Sequence, residues 1–207
     1  KMYRFTAYIL FPEIGLLCVM AEPIFHILFG EKWDASIPLF QLLLLRGIFV
    51  VLSSLYNNYI IALGKARMMV YMELLRDGVA LLALVVTLPV LAQSYPNDLT
   101  YGIKIMLIGQ VIAYALTFIV MLMVISKLTY RSFVAYLRDC FPYFIETILI
   151  MIPMIGLTQY VENPIVQLIL LAIIGLGLYF GVNFIMKSKI QVEAIDYFMY
   201  RFRKKTQ

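Results

Sequence analysis

Charge is scarce in this sequence: Asp, Glu, Lys and Arg make up 14% of its 207 residues, against roughly 25% in a soluble globular domain. That shortage excludes an ordinary water-soluble fold. Cysteine and histidine are scarcer still, with two of the first and one of the second. Cys18 lies in an apolar segment and Cys140 at a helix edge, with no metal-ligand spacing and no reason to pair, so both are expected to be free thiols. His26 has no Cys, His or acid at the spacing a metal centre needs, and it reads as a side chain at a membrane interface. A glycine-rich phosphate loop after a strand, a GxSxG elbow and a paired-carboxylate cluster are all missing. Enzymatic chemistry has little to stand on, and no cofactor is expected. With no RNA-stacking motif and no basic run in a soluble domain, no nucleic-acid partner is expected either.

What fills the space is apolar. Hydrophobic residues are 63% of the chain and its mean hydropathy is +0.91, where a soluble domain has about 45–50%. Six apolar segments are drawn as spans: Phe5–Leu28, Ser36–Leu63, Met68–Ala92, Gly102–Ser126, Pro142–Tyr160 and Ile165–Met186. The fold class expected is an all-α membrane bundle of about six transmembrane helices. The first segment reads as broken by Pro12 and Pro23, its far end a reoriented turn of helix running into a short loop. The third carries Glu73, Arg76 and Asp77 in its first turns, and those charges need the headgroup layer or a protein cavity. The fifth is short and contains Glu146 and Pro153.

Basic residues orient the drawing, because Lys and Arg accumulate in short cytoplasmic loops. With the amino end inside, all 17 basic residues but Lys32, Lys104 and Arg46 fall on the cytoplasmic side. The loops on the other side, GEKWDAS, QSYPNDLTY and VENP, are short and lean acidic. Two polar segments are expected along the inner surface, Tyr130–Phe141 and an amphipathic Ile190–Lys205. Lys1 is not an initiator methionine and no charged leader precedes a cleavage site, so the chain is read as a fragment. Residues 1–207 form one bundle, with a cytoplasmic basic tail at 188–207.

The residue that invites a functional reading is Arg46. A helix over Ser36–Leu63 rises ~42 Å at ~1.5 Å per residue, against a hydrocarbon core of roughly 30 Å. Arg46 falls near its middle. Steps of three and four carry it past Val50 to Ser53 and Asn57, one stripe that should face protein or a wet cavity. On the fourth segment Gln110, Tyr114 and Thr117 share a face in the same way. Facing stripes either line a hydrated cavity or simply hydrogen-bond to one another. The competing reading of Arg46 is an arginine that pairs with one acid and only holds helices together. Its fork of donors suits carboxylate or phosphate, and an ionisable group at mid-membrane is a functional candidate by default. Glu13 and Glu146 are weaker candidates as proton or sodium ligands.

The run from Phe11 to Leu75 resembles the polysaccharide flippase family, whose members export lipid-linked O-antigen and capsule units. The residues that carry the resemblance are Pro12, the LFGEKWDA run from Leu28 to Ala35, the long helix after it and ALGKAR from Ala62 to Arg67. Beyond that third of the chain the match is in hydropathy alone. The resemblance implies the carboxy-terminal half of a two-bundle exporter fold, with a missing amino-terminal helical bundle as its partner in the same protein. It implies a bacterial inner-membrane location and an undecaprenyl-diphosphate-linked oligosaccharide as substrate. The expected substrate-binding residues are Arg46, Ser53, Asn57, Gln110 and Tyr114. Two other classes compete. A drug or cation antiporter of the same superfamily is expected to need a membrane acid at the depth where this chain has Arg46, and a membrane-embedded glycan polymerase or ligase should carry arginines and acids in a sizeable outer loop.

Overall fold

A computed structural model describes residues 2–94, 98–186, 188 and 190–191. In chain order these form α1 (Met2–Leu28), a 3-10 turn (Glu31–Ser36), α2 (Ile37–Ala62), α3 (Ala66–Ser94), α4 (Leu99–Thr129), α5 (Phe133–Thr158) and α6 (Pro164–Ile185). No strand occurs among the described residues. All six helices are long and apolar enough to cross a membrane. The chain is therefore an all-α, multi-pass membrane bundle, and helices meet the condition hydrocarbon sets, since each satisfies its backbone donors and acceptors internally.

Short links with specific local chemistry set the helix ends. Gly30 and Gly64 turn the chain at φ of 78° and 72°, a backbone conformation in which a side chain would be strained. Asp98 caps α4 by accepting from the Tyr101 N–H at 2.9 Å. Asn163 caps α6 by accepting from Ile165 N–H at 3.0 Å, and Pro164 occupies the first turn, where its missing donor is not needed.

The hub is α1. Half of its apolar window is buried, against 6% of the window in α3, which lies at the periphery. It packs on α2, α5 and α6, while α4 packs on α2 and α3. The core forms where these groups meet: Leu10, Phe11 and Ile14 of α1 join Leu52 and Ile60 of α2, Leu122 and Ile125 of α4, and Tyr136 of α5. Close approach depends on missing side chains. A Cβ at Gly15 of α1 would collide with the Thr147 methyl group of α5, and one at Gly175 of α6 would lie 2.6 Å from Leu16 Cδ1. Small residues at such crossings are how helices gain contact where lipid offers no hydrophobic drive.

Two expectations about helix continuity are corrected. Both prolines lie inside α1, which runs unbroken from Met2 to Leu28. Pro12 removes the N–H that would bond the Tyr8 carbonyl one turn earlier, and Tyr179 Oη of α6 donates to that carbonyl at 2.7 Å. The proline thus ties two helices together instead of breaking one. The fifth helix starts at Phe133, not at Pro142, and absorbs most of the segment expected on the inner surface. Its charged first turns can pack because Asp139 accepts from Arg4 Nε at 2.7 Å and from Arg131 Nη2 at 2.7 Å. The basic tail at 188–207 and its amphipathic segment lie almost wholly outside the described residues, as does the centre of the QSYPNDLTY loop.

Candidate functional site

Helical spacing puts the polar residues of α2 on the face that meets α4 and α3. Ser53 and Asn57 are buried there, and Arg46, two turns up the same stripe, is half-buried. From α4 the facing residues are Gln110 and Tyr114. Arg46 Nη1 donates to Gln110 Oε1 at 3.3 Å, and its guanidinium carbon lies 5.2 Å from the centroid of the Tyr114 ring. A guanidinium over an aromatic face is attracted by the ring quadrupole, more so where water is thin. Thr117, expected on the same face, turns inward on its own helix and donates to the Ala113 and Tyr114 carbonyls at 3.0 Å each.

A second arginine completes the cluster. Arg76 of α3 lies 5.9 Å from the same Tyr114 centroid. It is paired with Glu73 one turn before it, donating from Nη1 to Oε1 at 3.1 Å, and with Asp77 Oδ1 at 3.1 Å. Asn57 Nδ2 in turn donates to Glu73 Oε1, which joins α2 to α3. The buried Asn57 Oδ1 has no hydrogen-bond partner among the described residues. Charge is distributed unevenly in this arrangement. Arg76 is neutralised by acids of its own helix, whereas the partners of Arg46 among the described residues are a neutral amide and a phenol ring. Arg46 therefore holds a positive charge in the bundle with part of its donor fork uncommitted.

Four of the five residues expected to line a substrate site are placed in one network or against it: Arg46, Gln110 and Tyr114 touch, and Asn57 reaches them through Glu73 and Arg76. Ser53 lies buried on the same stripe. Glu73 and Arg76 were not expected in it. Counting Arg76 as cytoplasmic hid the relevant signal, which is depth: ten residues into α3 it has risen about 15 Å from the helix start.

The remaining sequence candidates go elsewhere. His26 pairs with Asp34 at 2.9 Å where α1 passes into the 3-10 turn, and no group of three or more His, Cys, Asp or Glu is close enough to hold a metal among the described residues. Both cysteines are free and buried. Glu13 is exposed on α1, and Glu146 is buried between α5 and α6, where Asn183 Nδ2 donates to it at 2.5 Å.

Comparison with known proteins adds one relative. The chain is 24% identical over 195 residues to an "uncharacterized membrane protein in cps region" of Klebsiella pneumoniae, an alignment covering 93% of this chain and 38% of the relative. The chain thus spans little more than a third of the length of the relative it matches. No family model matches it, and no solved structure does.

Proposed function

We propose that this chain is the carboxy-terminal helical bundle of a polysaccharide flippase, a transporter that moves an undecaprenyl-diphosphate-linked oligosaccharide across a bacterial inner membrane. The observation that carries the reading is Arg46, a cation within the bundle whose partners, Gln110 and Tyr114, leave its charge uncompensated. A diphosphate or an acidic sugar is the counter-ion such a fork is shaped to take. Support comes from the relative's location in a cps region, which we read as a capsule gene cluster, and from six helices long and apolar enough to cross a membrane. In this reading the amino-terminal half of the same protein supplies a second bundle, the ligand is held between the two near the midplane, and rocking of one against the other exposes it to each side in turn. The end that carries Arg4, Lys65, Arg67 and Arg131 faces the cytoplasm.

The test is surface glycan normalised to membrane-inserted protein, in full-length wild type, Arg46→Ala and Arg46→Lys. Ala is expected to lower normalised export at least tenfold, the effect of about 1.4 kcal/mol, with Lys in between. Equal export in all three removes Arg46 from transport. Orientation is read separately by labelling single cysteines from outside intact cells: position 162 should react and position 65 should not.

A further inference from the structure

Four carboxylates in the bundle differ in what neutralises them. Asp139 accepts from two guanidinium groups, Glu73 from Arg76 and from Asn57, and Asp34 from the His26 ring. Glu146 is 8% exposed, and its hydrogen-bond partner is an amide: Asn183 Nδ2 donates to Oε1 at 2.5 Å. No cation stands at ion-pair distance from it among the described residues. Asn183 is committed on its other side, donating to the Tyr179 carbonyl at 3.0 Å, so the amide is fixed in place. No donor to Oε2 stands among the described residues.

The surroundings permit a small ion to come and go. A cleft of about 350 Å³ reaches Glu146 from the basic end of the bundle, lined among others by Arg4, Arg138, Asp139, Tyr143 and Asn183. The groups that face the carboxylate are Tyr8 from α1, Tyr143 from its own helix α5, and Tyr179 with Asn183 from α6; Arg4, Arg138 and Asp139 lie across the cleft. These are phenols, an amide, two guanidinium groups and one carboxylate, Asp139, which Arg4 and Arg131 already hold. A metal ion would need several oxygen ligands, and the neighbouring amide presents its N–H instead.

We propose that Glu146 is a proton-binding site of this protein, loaded and emptied through the cleft at the basic end. A hydronium ion in the cleft gives its proton to Oε2, leaving water and a neutral carboxylic acid that stays hydrogen-bonded to Asn183; release is the reverse. Because a lone buried carboxylate is costly while the acid is not, ionisation favours the form in which α5 and α6 admit water at Glu146. Proton occupancy is thereby linked to how closely the two helices pack, as any ligand shifts the population of the state that binds it better. The site is separate from the Arg46 cluster, and the proposal does not rest on the identity of the transported molecule.

Infrared difference spectra of the full-length protein in lipid vesicles test it, recorded over pH for wild type and Glu146→Gln. A carboxylic-acid band that titrates in wild type and is absent from Glu146→Gln is the expected result. Superimposable spectra overturn the proposal, as does loss of the band when sodium is added at fixed pH, which would make this a sodium site. Where Glu146→Gln fails to insert, labelling of wild type with a hydrophobic carbodiimide, which reacts with protonated carboxyls, takes its place. The Glu146 adduct should then fall by roughly tenfold per pH unit above the midpoint, as for a single acid. An adduct yield that is flat with pH, or absent, overturns the proposal.

Discussion

Two groups of three helices solve the problem of polar atoms in hydrocarbon by opposite means. In α2, α3 and α4 the charges are gathered into one network: Arg46, Arg76, Glu73 and Asn57 meet around Gln110 and Tyr114, and α3 on its outer side is mostly exposed. In α1, α5 and α6 the backbones close on one another at Gly15 and Gly175. There Glu146 is held by an amide alone and the freed Tyr8 carbonyl by a phenol. The first group holds charge by compensating most of it and leaving one cation over. The second packs its helices closely: the Arg4–Asp139–Arg131 pairs sit at its basic end, and deeper in, Glu146 has an amide for company. A charged ligand belongs with the first arrangement, and a group that changes its charge belongs with the second.

Glycine substitutions should break the comparison most visibly. Gly15→Ala drives a methyl group into the Thr147 methyl, whose side chain is pinned by its own 2.8 Å bond to the Tyr143 carbonyl, and overpacking of this kind costs about 1–3 kcal/mol. Gly78→Ala on α3 meets nothing within 4 Å and should stabilise slightly, by up to ~1 kcal/mol from helix propensity. Thermal unfolding in mild detergent reads both, and like signs would mean that the two groups are packed alike.

Carboxylate-to-amide changes come next. Glu73→Gln removes an acid that holds Arg76 and accepts from Asn57, so its loss should destabilise by about 1–2 kcal/mol, because a half-buried guanidinium loses its main counter-ion. Glu146→Gln keeps the shape and the contact with Asn183 and should change stability by less than ~0.5 kcal/mol at neutral pH. Equal losses at the two positions would show that Glu146, too, is held as a charge. Tyr179→Phe is the mildest probe of the tight group. It removes the donor to the Tyr8 carbonyl, and contacts of this type within membranes are worth about 0.6 kcal/mol. A loss several times larger would mean that the Pro12 turn of α1 unwinds without it.

The spans, the class of fold and the two polar stripes were legible in the sequence because each rests on a count along a single helix: about twenty apolar residues for a crossing, and steps of three and four for a face. That Arg46 shares a stripe with Ser53 and Asn57, and Gln110 one with Tyr114, follows from such counts; that the two stripes meet is a tertiary fact. Proline was misread, because a missing N–H predicts a break only while nothing else satisfies the stranded carbonyl, and the phenol that does so at Tyr8 is a residue of α6. The start of α5 was misread for a similar reason: Asp139 looks too polar for a packed helix until Arg4 and Arg131 are seen beside it. Membership of Glu73 and Arg76 in the Arg46 cluster, the neutral partner of Glu146 and the glycine contacts were decided by tertiary structure alone. Each depends on which residue of a distant helix lies opposite, a relation fixed by how six cylinders pack and absent from the periodicity of any one of them.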